Sequence, residues 1–140
     1  MQKISFYYLD RNPGIKNRTR LKEFIAQLFS NERKNLGNLS YIFCSDKHLL
    51  KINQDFLHHN FYTDVITFDL GSAGSPVEGE IYISIDRIKD NARTMKLSFA
   101  EELHRVMFHG ALHLCGYKDK SKRDELLMRQ TEDKYLNLYF

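Results

Sequence analysis

His109 and His113 stand four residues apart in HGALHLCGYKDK (109–120), with Gly116 and Asp119 following at three-residue intervals. On a helix, residues four apart share a face with Cβ atoms about 6 Å apart, so two imidazoles can share one cation. Glycine is the residue type that stops a helix in a left-handed conformation, and the reversed chain can return residue 119 to the pair. Asp119 is then the natural third ligand. Three protein ligands leave one coordination position open, which marks a catalytic site rather than a closed structural one. An isolated H-x-x-x-H is more often ordinary helix chemistry, but the glycine and the acid add two independent matches to a metal-binding geometry. An aspartate among the ligands cancels part of the ion's charge and makes hard divalent ions more competitive. One Zn2+ per chain is the first expectation.

The slot after the first histidine holds Gly110. Peptidases of the H-E-x-x-H type keep their general base there, and glycine accepts no proton. Glu102 lies two helical turns before His109, about 10 Å along the axis, too far to replace that glutamate directly. As a first-turn acid it also suits the helix dipole and pairing with Arg105.

The surrounding segments must hold these residues. KISFYYL (3–9) is a strand bounded by DRNPG, and Thr19 can cap a helix carrying Leu21, Phe24, Ile25 and Leu28 to about Asn31. After a GN turn at 37–38, LSYIFCS reads as a second strand, and Ser45 caps a short helix ending near Phe56. YTDVITFDL (62–70) and GEIYISID (79–86) are two more strands, joined by GSAGSP as a candidate antiparallel pair. A helix around 86–96 follows. Ser98 with Glu101 is a capping-box signature that opens the histidine-bearing helix, and Ser121 with Asp124 opens a last helix to the C-terminus. The order predicts one α+β domain over 1–140, a mixed four-stranded sheet packed by helices.

Length, 42% hydrophobic and 13% aromatic content predict a folded globule rather than a disordered chain. No apolar run approaches the roughly 18 residues of a membrane span. The N-terminal MQKISFYYLD lacks the features of a signal peptide, which makes the cytoplasm the expected compartment and a membrane partner unexpected. Cys44 and Cys115 give no disulfide framework and are read as reduced, packed residues. A formal charge of +3 is compatible with an anionic partner without demonstrating one.

HGALHLCGY, together with INQDFLHHNFYTDVITF, GEIYIS and SFAEELHRVMFHG, resembles the YbeY family of bacterial endoribonucleases, also called rRNA maturation factors. The resemblance runs from about residue 40 to 120. It implies a zincin-like metal-binding helix and a cytoplasmic, zinc-dependent, single-strand-directed endoribonuclease. The implied roles are in small-subunit rRNA maturation and ribosome quality control. Its partners would be rRNA precursor, the small ribosomal subunit and ribosome-associated proteins. Carried onto this sequence, His109 and His113 are metal ligands, and Asp119 takes the third place by position only. Lys118 and Asp119 stand where the family usually has aspartate and histidine. Leu57 occupies a slot often held by arginine. His59 and Lys118 are therefore candidates to steady phosphate charge, alongside the equally simple reading of both as solvent-facing loop residues.

Thr63 and Asp64 read either as part of the cleft or as a turn opening a strand. His48 and His104 have no partner at ligand spacing and read as structural or exposed. Two basic groups, Arg11 to Lys22 and Lys118 to Arg123, can follow an RNA backbone or simply face solvent. Of the aromatic residues on or beside the strands, from Tyr7 to Phe68, most are expected in the core. Two other functions stay open: a ribosome assembly factor with a structural metal, and a small zincin-like peptidase, which Gly110 disfavours.

Overall fold

Four strands form one sheet in the order β1-β2-β4-β3, built from β1 (Ile4–Tyr8), β2 (Leu36–Cys44), β3 (Val65–Asp69) and β4 (Val77–Ser84). The computed structural model describes residues 3–140. Both β1–β2 and β2–β4 are parallel and β3–β4 is antiparallel, so the sheet is mixed and the loop 71–76 closes the expected hairpin-like pair. The helices are α1 (Arg18–Asn31), α2 (Asp46–Leu57), α3 (Ile85–Met95), α4 (Phe99–Leu114) and α5 (Lys122–Tyr139). This is the α+β arrangement that the order of elements predicts.

Strand side chains alternate between faces, and the two faces have different partners. Tyr41, Phe43, Ile81 and Ile83 point into the main core against α1, α4 and α5. Cys44, Ile66, Phe68 and Tyr82 point the other way, where Leu49 and Ile52 of α2 cover them. The buried Tyr41 hydroxyl donates to the carbonyl of Met107 at 2.8 Å, pinning the middle of α4 over β2. Glycine sets the approach of α4 to the sheet. A Cβ on Gly110 would lie 2.8 Å from Ile81 Cδ1, and one on Gly79 would lie 2.7 Å from Leu114 Cδ1. At both positions a larger residue would force the facing side chain to shift.

Several boundaries differ from the sequence reading. The first helix begins at Arg18, and Asn17 stands at its N-cap in a left-handed conformation without a side-chain cap bond, so Thr19 is already inside the helix. Asparagine tolerates that conformation, and its carbonyl takes the first helical bond from Leu21. The expected GN turn is instead part of β2, whose register to β4 shifts between Leu36 and Asn38. There a Cβ on Gly37 would lie 2.9 Å from the Val77 carbonyl, so the glycine serves a close strand contact rather than a turn. The third strand starts at Val65, leaving Thr63 and Asp64 before it, and the fourth spans Val77–Ser84 rather than 79–86.

The expected serine caps at 45, 98 and 121 act as such, and Ser84, not singled out in the sequence, caps α3 in the same way. The hydroxyls of Ser45, Ser84, Ser98 and Ser121 each accept a backbone N–H from the first turn of α2, α3, α4 and α5. Both cysteines are buried and free, and burial pushes each thiol up to about 12. Tyr41 and Phe43 lie in the core, whereas Tyr7, Phe61 and Tyr62 are exposed. His104 is buried, bonded through Nδ1 to the Ala100 carbonyl and stacked on Tyr139, and burial lowers its pKa. It is a structural histidine. Among the described residues, no helix is long and apolar enough to cross a membrane.

Candidate metal centre

The C-terminus of α4 builds the turn that the spacing of Gly116 suggests. Gly116 has φ +105° and donates its N–H to the His113 carbonyl, while Tyr117 donates to Leu112. These are the two bonds of a Schellman motif. Tyr117 is then tied down by its hydroxyl, 2.7 Å from Glu32 Oε1 at the end of α1, and Tyr135 of α5 holds the other oxygen of the same carboxylate. The loop is therefore anchored at its start, and two residues later Asp119 comes back over α4.

Asp119 Oδ2 lies 3.3 Å from His109 Nε2 and 3.2 Å from His113 Nε2. One donor atom from each of the three residues falls within 4.8 Å of the others. A tetrahedral zinc with ligands at ~2.0–2.1 Å places its donor atoms about 3.3 Å apart, which both Asp119 contacts match. The chemistry of the donors fits as well. His109 Nδ1 is 2.7 Å from Glu132 Oε2, which in the neutral ring assigns that nitrogen the proton and leaves Nε2 with a lone pair. In that state the Nε2 lone pair and the Asp119 carboxylate oxygen face each other as two donors to one cation.

The centre lies in a cleft of about 950 Å³ between β3, α4 and α5. Asp64 lies in this cleft just before β3, accepting from Asn91 Nδ2 at 3.2 Å. It therefore belongs to the cleft as well as to the turn. Burial raises its pKa, and the charge of His109 opposes the rise. Glu102 is only 3% exposed, and its Oε1 has no hydrogen-bond partner among the described residues, with Arg105 Nε 3.9 Å away. Burial and the charge of Asp64 raise Glu102, and Arg105 offsets part of this. For His109, burial pushes the pKa down, but the bond to Glu132 and the charges of Asp119 and Asp64 outweigh it, so the net direction is up.

Cationic side chains line the same cleft. Arg105 Nη1 contacts Glu132 at 3.3 Å and Asp133 at 2.8 Å, and Lys122 and Arg129 stand on the α5 side. His59 and Lys118 are both exposed, and neither is among the lining residues. His59 instead follows the left-handed residue His58 at the end of α2, donates its backbone N–H to Asn53, and stacks on Phe61. Leu57 ends α2 and is partly exposed.

The sequence profile of the family described as Endoribonuclease YbeY matches residues 10–139. The chain belongs to the YbeY endoribonuclease family. Among its YbeY relatives, an Endoribonuclease YbeY of Flavobacterium psychrophilum is 49% identical over 136 residues, covering 97% of this chain and 96% of that one. The YbeY of Cytophaga hutchinsonii is 44% identical, covering 96% and 94% of the two chains. The solution structure of TM1509 from Thermotoga maritima superposes with a TM-score of 0.69 at 29% identity, over 96% of this chain and 88% of that one. The match reaches well beyond the central block into α1 and α5.

Glu132 and Arg129 had no place in the sequence reading. Glu132 is 23 residues from His109 on a separate helix, and no spacing rule connects them. One signal was present: on α5 the buried stripe of Met128, Thr131, Tyr135, Leu136 and Tyr139 also contains Glu132. An acid on the apolar face of a helix implies a partner across the interface.

Proposed function

We propose that this chain is a zinc-dependent endoribonuclease of one YbeY-like domain, acting on single-stranded RNA in small-subunit rRNA maturation and ribosome quality control in the cytoplasm. The observation that carries the reading is the convergence of donor atoms from His109, His113 and Asp119 within 4.8 Å of one another, in a chain whose relatives are named as endoribonucleases. Those three residues would hold the ion. When bound, the ion supplies a Lewis acid that stabilises charge developing on the scissile phosphate.

The chain's own groups do the rest. Asp119 is 39% exposed at its side chain, so the centre is reachable from solvent by a phosphodiester strand. Lys122 and Arg129 of α5, seven residues apart and therefore on one face, supply positive charge along the cleft wall. This cationic wall offers what Leu57 does not. Asp64 and Glu102, both raised toward neutrality by burial, are the carboxyl groups available to hold or pass a proton.

Purified protein should cut structured rRNA precursor, and chelation should abolish cutting while the circular dichroism spectrum stays folded. Cutting that persists after complete metal removal would refute the metal role, and a chain that unfolds on chelation would favour the assembly-factor reading. Fragment ends identify the nucleophile: a 2′,3′-cyclic phosphate points to the RNA hydroxyl, and a 5′-phosphate to water. Lys122→Ala with Arg129→Ala should weaken RNA binding and reduce the salt slope of log K by about 1.4 for a single strand, with little change in metal content. An unchanged slope in filter binding would remove both residues from the RNA path.

A further inference from the structure

We propose that Glu132 is a positioning residue for the metal centre: it fixes the tautomer and ring orientation of His109 and thereby sets the affinity of the site for its ion. This inference rests on the metal reading above.

Glu132 is 4% exposed and sits on the α5 face that packs against α4. A carboxylate is costly in such a place unless both oxygens are satisfied. They are, and largely from one helix. Arg105 and His109, four residues apart on α4, grasp its two oxygens, with Arg105 Nη1 3.3 Å from Oε1 and His109 Nδ1 2.7 Å from Oε2. Arg129 Nη1 stands 3.9 Å from Oε1 on the solvent side. The guanidinium orients the carboxylate, and the carboxylate orients the imidazole.

The geometry has a chemical consequence. At 2.7 Å a carboxylate oxygen and a ring nitrogen need a proton between them, and the short distance is that of a charge-assisted bond. In the neutral ring the proton is held at Nδ1, so the lone pair lies at Nε2, the atom that faces Asp119 Oδ2. A carboxylate behind the imidazole also makes the ring a stronger ligand. His113 shows no comparable partner at Nδ1 among the described residues, only its Nε2 contact with Asp119. His109 is thus the anchored ligand and His113 the freer one. Because Glu132 belongs to α5, the seating of that helix becomes part of the metal site.

The test measures zinc affinity by competition with a chromogenic chelator on the full chain, for wild type, Glu132→Gln and Glu132→Ala. Removing such a partner weakens metal binding by about 10–100-fold, with alanine the weakest and glutamine between, since its amide oxygen still accepts from Nδ1. A wild-type measurement guards against variants that fail to fold: the long-range 1H–15N spectrum of metal-free protein at alkaline pH should show His109 protonated at Nδ1. A proton on Nε2 would overturn the proposal, as would a folded Glu132→Ala variant with zinc affinity within about twofold of wild type. A wild-type chain that takes up no zinc, yet shows the Nδ1 proton, would instead refute the metal reading and leave the His109–Glu132 pairing standing.

Discussion

His113→Ala is expected to lose stoichiometric zinc and to lower RNA cleavage by about 10³-fold or more, with the fold retained. The magnitude follows from a Lewis-acid contribution of several kcal/mol to the transition state, at roughly 1.4 kcal/mol per factor of ten. The fold should survive because His113 is a partly exposed residue whose ring contacts Asp119 and His109, while the buried face of α4 is carried by Leu103, Met107, Ala111 and Leu112. Metal analysis, circular dichroism and single-turnover cleavage read the three quantities separately. A His113→Ala protein that still cuts at the wild-type rate would disprove the assignment of the centre as the source of activity. The same variant distinguishes the enzyme from an assembly factor whose metal supports the fold, since that factor would lose stability along with its zinc.

Gly110→Glu is expected to unfold the protein rather than to install a general base. A Cβ at this position would lie 2.8 Å and 2.9 Å from Ile81 Cδ1 and Cγ2, so even Gly110→Ala should cost about 1–3 kcal/mol by overpacking. A glutamate would add an unpaired carboxylate inside the main core, which costs several kcal/mol more, a large share of the 5–15 kcal/mol that holds a domain of this size. Urea denaturation of the alanine variant and soluble expression of the glutamate variant measure both steps. A glutamate variant as stable as wild type would contradict this packing account. The apparent gap in the motif thus has a geometric origin. Gly110 is about 100° around the helix from His109, and α4 is turned so that this direction meets β4 while His109 and His113 meet the cleft. The peptidase reading is disfavoured because Gly110 carries no base and the Ile81 contact leaves no room for one.

The carboxylate in the ligand set distinguishes this centre from an all-imidazole one. Asp119 contributes negative charge where a third histidine would contribute none, so an ion bound there would be held by two neutral ligands and one anion. Around it, Glu132 braces one ligand, while Asp64 and Glu102 stay raised in the same cleft. Each of these acids has a distinct environment, and that separation lets several carboxylates serve different ends in a small space.

Local chemistry in the sequence determined a large part of this protein. The alternation of β and α segments, the serine caps at 45, 98 and 121, and the Gly116 stop all act within a few residues, and each appears in the fold. The convergence of the His–His–Asp cluster was legible for the same reason: His109, His113 and Asp119 fall within eleven residues, and a helix followed by a left-handed turn fixes their relative positions. Boundaries that depend on another strand were not legible in this way. Gly37 reads as a turn residue by type, and only its contact with Val77 shows that it belongs inside β2. What the tertiary structure alone decided is which residues surround the triad. Asp64 arrives from the approach to β3 and Glu132 from α5, whereas His59 and Lys118, near the motifs in sequence, are absent from the cleft wall. Sequence proximity constrains the few bonds of one turn, but the environment of a ligand is set by the packing of α4 between the sheet and α5, which no local spacing encodes.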